Sequence, residues 1–361
     1  MKRLNVALVG CGWVSETHME EGWNTLRDRF SVVACCDRDP ARAERFGAAH
    51  GVARRVTDLA EVLAMDDIDV VDICTPPMLH AEMVDAVLRA GKHAICEKPF
   101  TDSLARLDAI ARLEAQSRGR VMPIFQYRFG TNGARVRHAI RSGLCGRAFV
   151  SSVETMWLRQ SNYYEVQWRG KFATELGGVL LTQSIHMHDL LLWLMGPVAA
   201  VTGFKTTRVN PIEVEDCAAV ALAMADGSLA TLTCTLGSVK QITRFRLVFE
   251  NVTFESVAED PGKVGRPGDA EWKMWPKTPE IGAAIAASMD EVGPVAGRFG
   301  GQFAGFYDAL ESGGPFPVTL DDARRSLELI SAIFHAQESG RVVQLPIGAE
   351  HPSYAGWVPR T

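Results

Sequence analysis

The chain has 361 residues, 47% hydrophobic and 22% charged, with a formal net charge of -5. This is the balance of a folded protein with room for two domains at roughly 100–200 residues each, and it excludes a disordered low-complexity chain. The mild negative charge leaves no basic footprint for nucleic acid or an anionic membrane surface, and no apolar run nears the roughly 20 residues that span a bilayer, so neither partner is expected.

The opening MKRLNVALVG lacks the long apolar core of a signal peptide and reads as a first strand. Eight cysteines are present, none spaced C-x-x-C, and Cys11, Cys74 and Cys96 lie in or just after apolar runs. That pattern predicts reduced, buried thiols and a cytoplasmic protein.

In chain order, short β-branched runs at Leu4–Val9, Ser31–Cys36, Val70–Cys74, His93–Cys96 and Val121–Phe125 alternate with helical patterns at Val14–Arg27, Pro40–His50, Leu79–Ala90 and Ser103–Ser117. Strands such as VALVG and VVDIC have no polar alternation, which predicts a parallel sheet covered on both faces. After Phe129 the texture changes. A helix over Asn132–Arg141 leads into two-faced strands at Ala148–Trp157, Val198–Thr206, Cys217–Met224, Ser228–Leu236 and Arg244–Phe249, with Asp226-Gly227 marking a hairpin. These argue for an antiparallel sheet and an α+β second domain. Glu259–Asp269, rich in Gly and Pro, reads as a loop; Phe303–Glu311 and Leu320–Gln337 read as helices, the second with Thr319 as a candidate N-cap.

Gly10-Cys11-Gly12 follows the first strand and opens a helix. A first glycine permits the tight turn, a second lets the backbone approach a pyrophosphate, and the helix N-terminus favours the anion. Ser15 stands where the fingerprint has its third glycine. Asp37, 25 residues after Gly12 and ending the second strand, is placed to accept hydrogen bonds from the adenosine ribose. A carboxylate there repels a 2′-phosphate, so NAD is expected; Arg38, directly after it, keeps NADP possible. Glu97-Lys98-Pro99 sets a lysine just past the carboxyl end of a buried strand, where ligands bind in open α/β sheets. Partial desolvation there lowers a lysine towards the range useful for proton transfer.

Together, the G-x-G turn, Asp37, Cys74-Thr75-Pro76-Pro77 with His80, Glu97-Lys98-Pro99, Gly177-Gly178 and His186-Met187-His188-Asp189 resemble the glucose–fructose oxidoreductase / inositol dehydrogenase / MocA (Gfo/Idh/MocA) family, in order and spacing over essentially the whole chain. The resemblance implies an α/β Rossmann domain over 1–125 and an α+β domain over 126–361 built on a large, mostly antiparallel sheet. The second domain would bind substrate and form a homodimer or homotetramer, with the nicotinamide at the junction. It further implies that Gly10, Gly12, Trp13, Val14, Asp37, Arg38, Cys74, Thr75, Pro76, His80, Glu97, Lys98, Gln126 and Arg169 contact the cofactor. Lys98, Arg128, Trp168, Thr182, Gln183, His186 and Asp189 would contact a carbohydrate-like substrate. Lys98 and His186 are the catalytic candidates, and which is the base stays open.

The family's common pattern has an aspartate four residues before that histidine, where this chain has Thr182. A hydroxyl cannot act as a carboxylate base, so simple inositol dehydrogenation is disfavoured and modified sugars come forward. His186 and His188, two apart on a helix, point about 200° from each other and cannot share an ion, so no metal is expected. Trp157, Tyr163 and Tyr164 either stack on a sugar ring or pack the sheet.

The activity expected is NAD(P)-dependent hydride transfer to or from a secondary alcohol or ketone of a sugar, polyol or sugar derivative. The alternatives are NAD-dependent glycoside cleavage through transient oxidation, a dihydrodiol-type dehydrogenase, or a non-catalytic nucleotide sensor, the last having no need of both Lys98 and His186.

Overall fold

The computed structural model describes residues 2–259, 268 and 270–358. They form two compact units, one of 1–125 with 298–324 and one of 126–297 with 325–361.

The first unit alternates β1 (Leu4–Val9), α1 (Trp13–Glu21), β2 (Phe30–Cys36), α2 (Pro40–His50), β3 (Arg54–Val56), α3 (Leu59–Leu63), β4 (Val70–Ile73), α4 (His80–Arg89), β5 (His93–Cys96), α5 (Leu104–Glu114) and β6 (Val121–Pro123). The sheet order is β3-β2-β1-β4-β5-β6, every pairing parallel. Its order reverses between β1 and β4, which opens a crevice at the strands' carboxyl ends. Val6, Ala7, Leu8, Val70, Val71 and Ile73 are buried, as strands covered on both faces require. The helix expected over Val14–Arg27 ends earlier, at Gly22, and a 3-10 turn over Trp23–Thr25 follows. β3 and α3 were not legible in the sequence, being three and five residues long, with two arginines in β3. Asp39, Asp58 and Ser103 accept first-turn N–H bonds as N-caps of α2, α3 and α5.

The second unit contains α6 (Thr131–Arg141), β7 (Ala148–Leu158), a short α7 (Phe172–Glu175), a π-helical turn over Val179–Gln183, α8 (Ile185–Met195), β8 (Val198–Thr206), β9 (Cys217–Met224), β10 (Leu229–Thr235), β11 (Gly237–Phe249), β12 (Val252–Glu259), β13 (Lys273–Pro276) and α9 (Pro279–Asp290). The hairpin turn is at Asp226-Gly227, with Gly227 at φ +88 and Leu229 opposite Ala223. In β9, Ala218, Val220, Leu222 and Met224 are buried while Ala219 and Ala221 face outward, the period of two the sequence announced. The expected loop Glu259–Asp269 lies outside the described residues except for Glu259, which ends β12, and Gly268.

Two helices follow, α10 (Arg298–Ser312) and α11 (Leu320–Ser339), and a short β14 (Val343–Gln344) completes the sheet order β13-β12-β11-β7-β10-β9-β8-β14. All its pairings are antiparallel except β7 with β10. Thr319 and Asp322 exchange hydrogen bonds at the start of α11, as its N-cap position predicted. The sequence-based division puts all of 126–361 in the second domain, whereas 298–324 joins the first unit. The cause is the aromatic face of α10: Phe303 stacks on Trp23 with ring centroids 4.1 Å apart, and Phe306 faces Phe30 at 6.5 Å. Among the described residues no helix is long and apolar enough to cross a membrane.

Candidate active site

The turn between β1 and α1 is shaped by two glycines with different duties. Gly10 has φ +96, and a Cβ there would meet the Cys74 carbonyl carbon and oxygen at 2.8 Å, so the close approach of β4 demands glycine. At Gly12 an added Cβ would meet nothing within 4 Å, leaving open space above the N-terminus of α1. Gly12 is the N-cap and brings no side-chain hydrogen bond, so the first-turn N–H groups of α1 are available to an anion. Ser15 is buried and its hydroxyl donates to the Gly12 carbonyl at 2.5 Å, tightening the turn. Asp37 is clamped to the same turn: one oxygen accepts the Cys11 N–H and the other the Asp39 N–H, both at 2.9 Å. Each oxygen keeps a lone pair for a further donor. Trp13 is 82% exposed beside this opening, Val14 is half-buried and Arg38 exposed. These residues fit a dinucleotide's pyrophosphate and ribose.

Lys98 follows β5, half-buried, and its N–H donates to Glu97 Oε2 at 3.0 Å; the Lys98–Pro99 peptide is cis. His80, buried on α4, sets Nδ1 2.7 Å from the Pro99 carbonyl oxygen and Nε2 2.8 Å from that of Thr75. Its ring thus lies between the Thr75 and Pro99 loops, within hydrogen-bond distance of both. Burial pushes its pKa below the ordinary value, and the two carbonyl hydrogen bonds oppose that shift. Cys74 is buried and turned inward, with Sγ 3.4 Å from His18 Nδ1; Thr75 Oγ1 donates to Met83 Sδ.

Beneath this loop is a group the sequence analysis did not single out. His18 Nδ1 lies 2.9 Å from Asp72 Oδ2, its Nε2 lies 3.1 Å from Glu97 Oε1, and Trp23 Nε1 donates to Asp72 Oδ2 at 2.8 Å. The visible clue was Asp72, a carboxylate inside the otherwise apolar strand VVDI.

In the second unit Gln126, Tyr127 and Arg128 form a buried 3-10 turn. Arg128 and Asp189, both expected to meet substrate, are joined to each other: Nε to Oδ2 at 2.7 Å and Nη2 to Oδ1 at 2.5 Å, with Ser326 donating to Asp189 Oδ1. His186, 6% exposed, packs its ring 4.5 Å from that of Tyr127. His188 is buried on the same helix, and burial pushes its pKa down to about 3, so it is neutral.

Thr182 and Gln183 sit on the π-helical turn. The Thr182 hydroxyl lies 2.9 Å from the Gly178 carbonyl oxygen and 2.6 Å from Gln183 Oε1, and the Gln183 amide donates to Tyr163 Oη at 2.9 Å. Arg169 donates to the same Tyr163 oxygen, pairs with Glu175 at 3.4 Å, and lies over the rings of Tyr163 and Trp168 at 3.9 and 4.3 Å. Tyr163 therefore joins Arg169 to the Thr182–Gln183 turn, a role that aromatic spacing does not reveal. Trp157 is a packing residue: it is buried, and its indole donates to Thr243 at 2.9 Å.

Behind that turn Glu215 accepts the Gly178 and Leu180 N–H groups through Oε1 at 3.0 and 3.1 Å, while Oε2 is buried without a hydrogen-bond partner. Burial pushes its pKa up to about 7.

A family model described as an oxidoreductase family with an NAD-binding Rossmann fold matches residues 4–125, and one for the GFO/IDH/MocA C-terminal domain matches residues 134–255. D-apiose dehydrogenase of Paraburkholderia graminis is 32% identical over 250 residues, 66% of this chain and 62% of the relative. Inositol 2-dehydrogenase of Rhizobium meliloti is 31% identical over 189 residues, 52% of this chain and 54% of the relative. The match thus spans less than two thirds of the length of either. The WlbA dehydrogenase from Bordetella pertussis, crystallised with NADH and UDP-GlcNAcA, superposes with a TM-score of 0.83 at 25% identity, covering 96% of this chain and 100% of that one.

Proposed function

The chain belongs to the Gfo/Idh/MocA family of oxidoreductases, and from that premise we propose that it is an NAD-dependent dehydrogenase acting on a secondary alcohol, or the corresponding ketone, of a sugar, polyol or sugar derivative. The observation that carries this reading is the uncapped N-terminus of α1 with the Asp37 carboxylate held against its turn. An anion at that helix end and a ribose hydroxyl on Asp37 are the two recognition events a dinucleotide needs, and the negative charge of Asp37 favours NAD over NADP. When bound, the nicotinamide supplies the hydride acceptor or donor.

The chain's own contribution is proton handling and orientation. Oxidising a secondary alcohol requires a group that takes the hydroxyl proton and a donor that holds the oxygen. Lys98 and His186 are the residues proposed for these two tasks. Thr182, Gln183 and Trp168 are proposed to orient the sugar, linked through Tyr163 and Arg169. With a hydroxyl at Thr182, no carboxylate from that position assists the histidine, which favours a modified or nucleotide-linked sugar over inositol. Gln126, whose Oε1 is buried without a partner, is proposed to meet the cofactor.

The outward face of the large sheet carries Phe204, Leu229 and Val150 at 76%, 57% and 43% exposure, beside the ion-paired Glu154, Arg244, Arg246 and Glu255. The exposed Phe204, Leu229 and Val150 support a homodimer or homotetramer assembled through this mixed apolar and charged face. All eight cysteines are free thiols, which suits the reducing cytoplasm.

The test is a screen of NAD reduction with D-apiose, myo-inositol, levoglucosan and UDP-linked uronates, following absorbance and product together. Turnover of one of these with NAD supports the reading. Product formation with no net NAD reduction would replace it with transient-oxidation cleavage.

A further inference from the structure

We propose that His18 is a positioning residue for Lys98: held as an imidazolium between the Asp72 and Glu97 carboxylates, it fixes the Glu97 side chain that in turn holds the Lys98 main chain. The inference rests on the reading of Lys98 as a group that works on the substrate hydroxyl.

The geometry is a continuous line of buried contacts through the first unit. His18 sits on α1, six residues after Gly12. Its two ring nitrogens face Asp72 on β4 and Glu97 at the end of β5, at 2.9 and 3.1 Å, and the other Glu97 oxygen accepts the Lys98 N–H at 3.0 Å. His18 and Asp72 are 0% exposed and Glu97 5%. Carboxylates only accept, and a neutral imidazole donates through one nitrogen alone, so both contacts are satisfied only when both ring nitrogens carry protons.

The surroundings agree. Burial is the largest influence on His18 and opposes its charge. The Asp72 carboxylate, through charge and hydrogen bond, and Cys74 act the other way, and together they hold the pKa well above the ordinary histidine range. Burial likewise opposes the charge on Glu97, and the His18 hydrogen bond and charge, with Lys98 behind them, hold that carboxyl below its ordinary value. The other groups facing the ring are Phe299 and Phe303 of α10, at 4.4 and 5.4 Å between ring centroids, and the Cys74 thiol. Trp23 donates to the Asp72 oxygen that also meets His18.

The donor atoms of His18, Asp72 and Cys74 also lie within 4.8 Å of one another, a spacing compatible with a metal. Against that, burial pushes the Cys74 thiol up to about 12, so it keeps its proton, and His18 and Asp72 already satisfy each other. A metal held by the three would have to replace the hydrogen bonds they make with one another. The same line joins α1, whose N-terminus is the proposed pyrophosphate site, to the lysine loop.

Two measurements on the full chain test this without a known substrate. First, nuclear magnetic resonance of isotope-labelled histidine nitrogens, with the His18 signals assigned by their loss in His18→Gln, should show both ring nitrogens protonated from pH about 6 to about 8.5, well past an ordinary histidine midpoint. A single protonated nitrogen in that range overturns the proposal on the parent protein alone. Second, the pH midpoint for labelling the Lys98 amine with acetic anhydride, read by mass spectrometry of its peptide, should move by about half a pH unit or more in His18→Gln. The midpoint should move no further when the same change is made on a Glu97→Gln background, because both substitutions cut one connection. An unmoved midpoint, or shifts that simply add, sinks the inference. Loss of the catalytic reading shows differently: Lys98→Ala would retain turnover while the labelling result stood.

Discussion

Asp189 grips Arg128 with both carboxylate oxygens, at 2.7 and 2.5 Å, and the two side chains are 1% and 4% exposed. A guanidinium and a carboxylate so fully withdrawn from water stabilise each other only while both are present. Asp189→Asn should therefore lower stability by about 3–5 kcal/mol, the usual cost of stranding a buried charge. The charge-free pair Arg128→Met with Asp189→Leu should recover most of that loss. Urea denaturation followed by circular dichroism reads both; an Asp189→Asn protein as stable as the parent would return these residues to the substrate site.

Glu215 gives a pH signature. Its folded-state pKa of about 7 lies above the ordinary 4.5, so between those values the folded chain holds a proton that the unfolded chain has released. Stability must then fall as pH rises through that window and level off above it, by on the order of 3 kcal/mol. Glu215→Gln keeps the oxygen that accepts the Gly178 and Leu180 N–H groups. It should match the parent near pH 4.5 and exceed it near pH 8. Parallel stability curves for the two proteins would show that Glu215 is not the source.

Asp37→Ala removes the acceptor of the Cys11 N–H and the proposed ribose partner together. Losing hydrogen bonds to a charged group costs about 1.5–3 kcal/mol, roughly 10–100-fold in NADH affinity. NADPH affinity should fall less, since the repelling carboxylate is gone as well. Fluorescence titration of the exposed Trp13, 82% accessible beside the turn, follows both ligands. Equal losses would remove Asp37 from the ribose.

Lys98→Ala should reduce turnover by about 10²-fold or more, the usual contribution of a positioned proton-transfer group, with NADH affinity within a few-fold of the parent. Near-parental turnover would transfer the role to His186.

Several features were legible in the sequence because they are local. The unalternated VALVG and VVDIC marked strands buried on both faces, the Asp226-Gly227 pair marked a hairpin, and Gly10, Gly12 and Asp37 marked a nucleotide turn, since one residue type serves each backbone demand. Phe303–Glu311 read as a helix, and the structure shows Phe299, Phe303 and Phe306 buried on one helix there. Spacing alone does not say which surface such a face will cover, and only packing on Trp23 and Phe30 assigned α10 to the first unit. Arg128 and Asp189, 61 residues apart, read in the sequence as two separate substrate contacts, and only the fold shows that they pair with each other. His18 met Asp72 and Glu97 across 54 and 79 residues for the same reason. Side-chain period and turn chemistry are written in neighbouring residues, whereas which charges meet depends on how sheet order brings distant segments side by side.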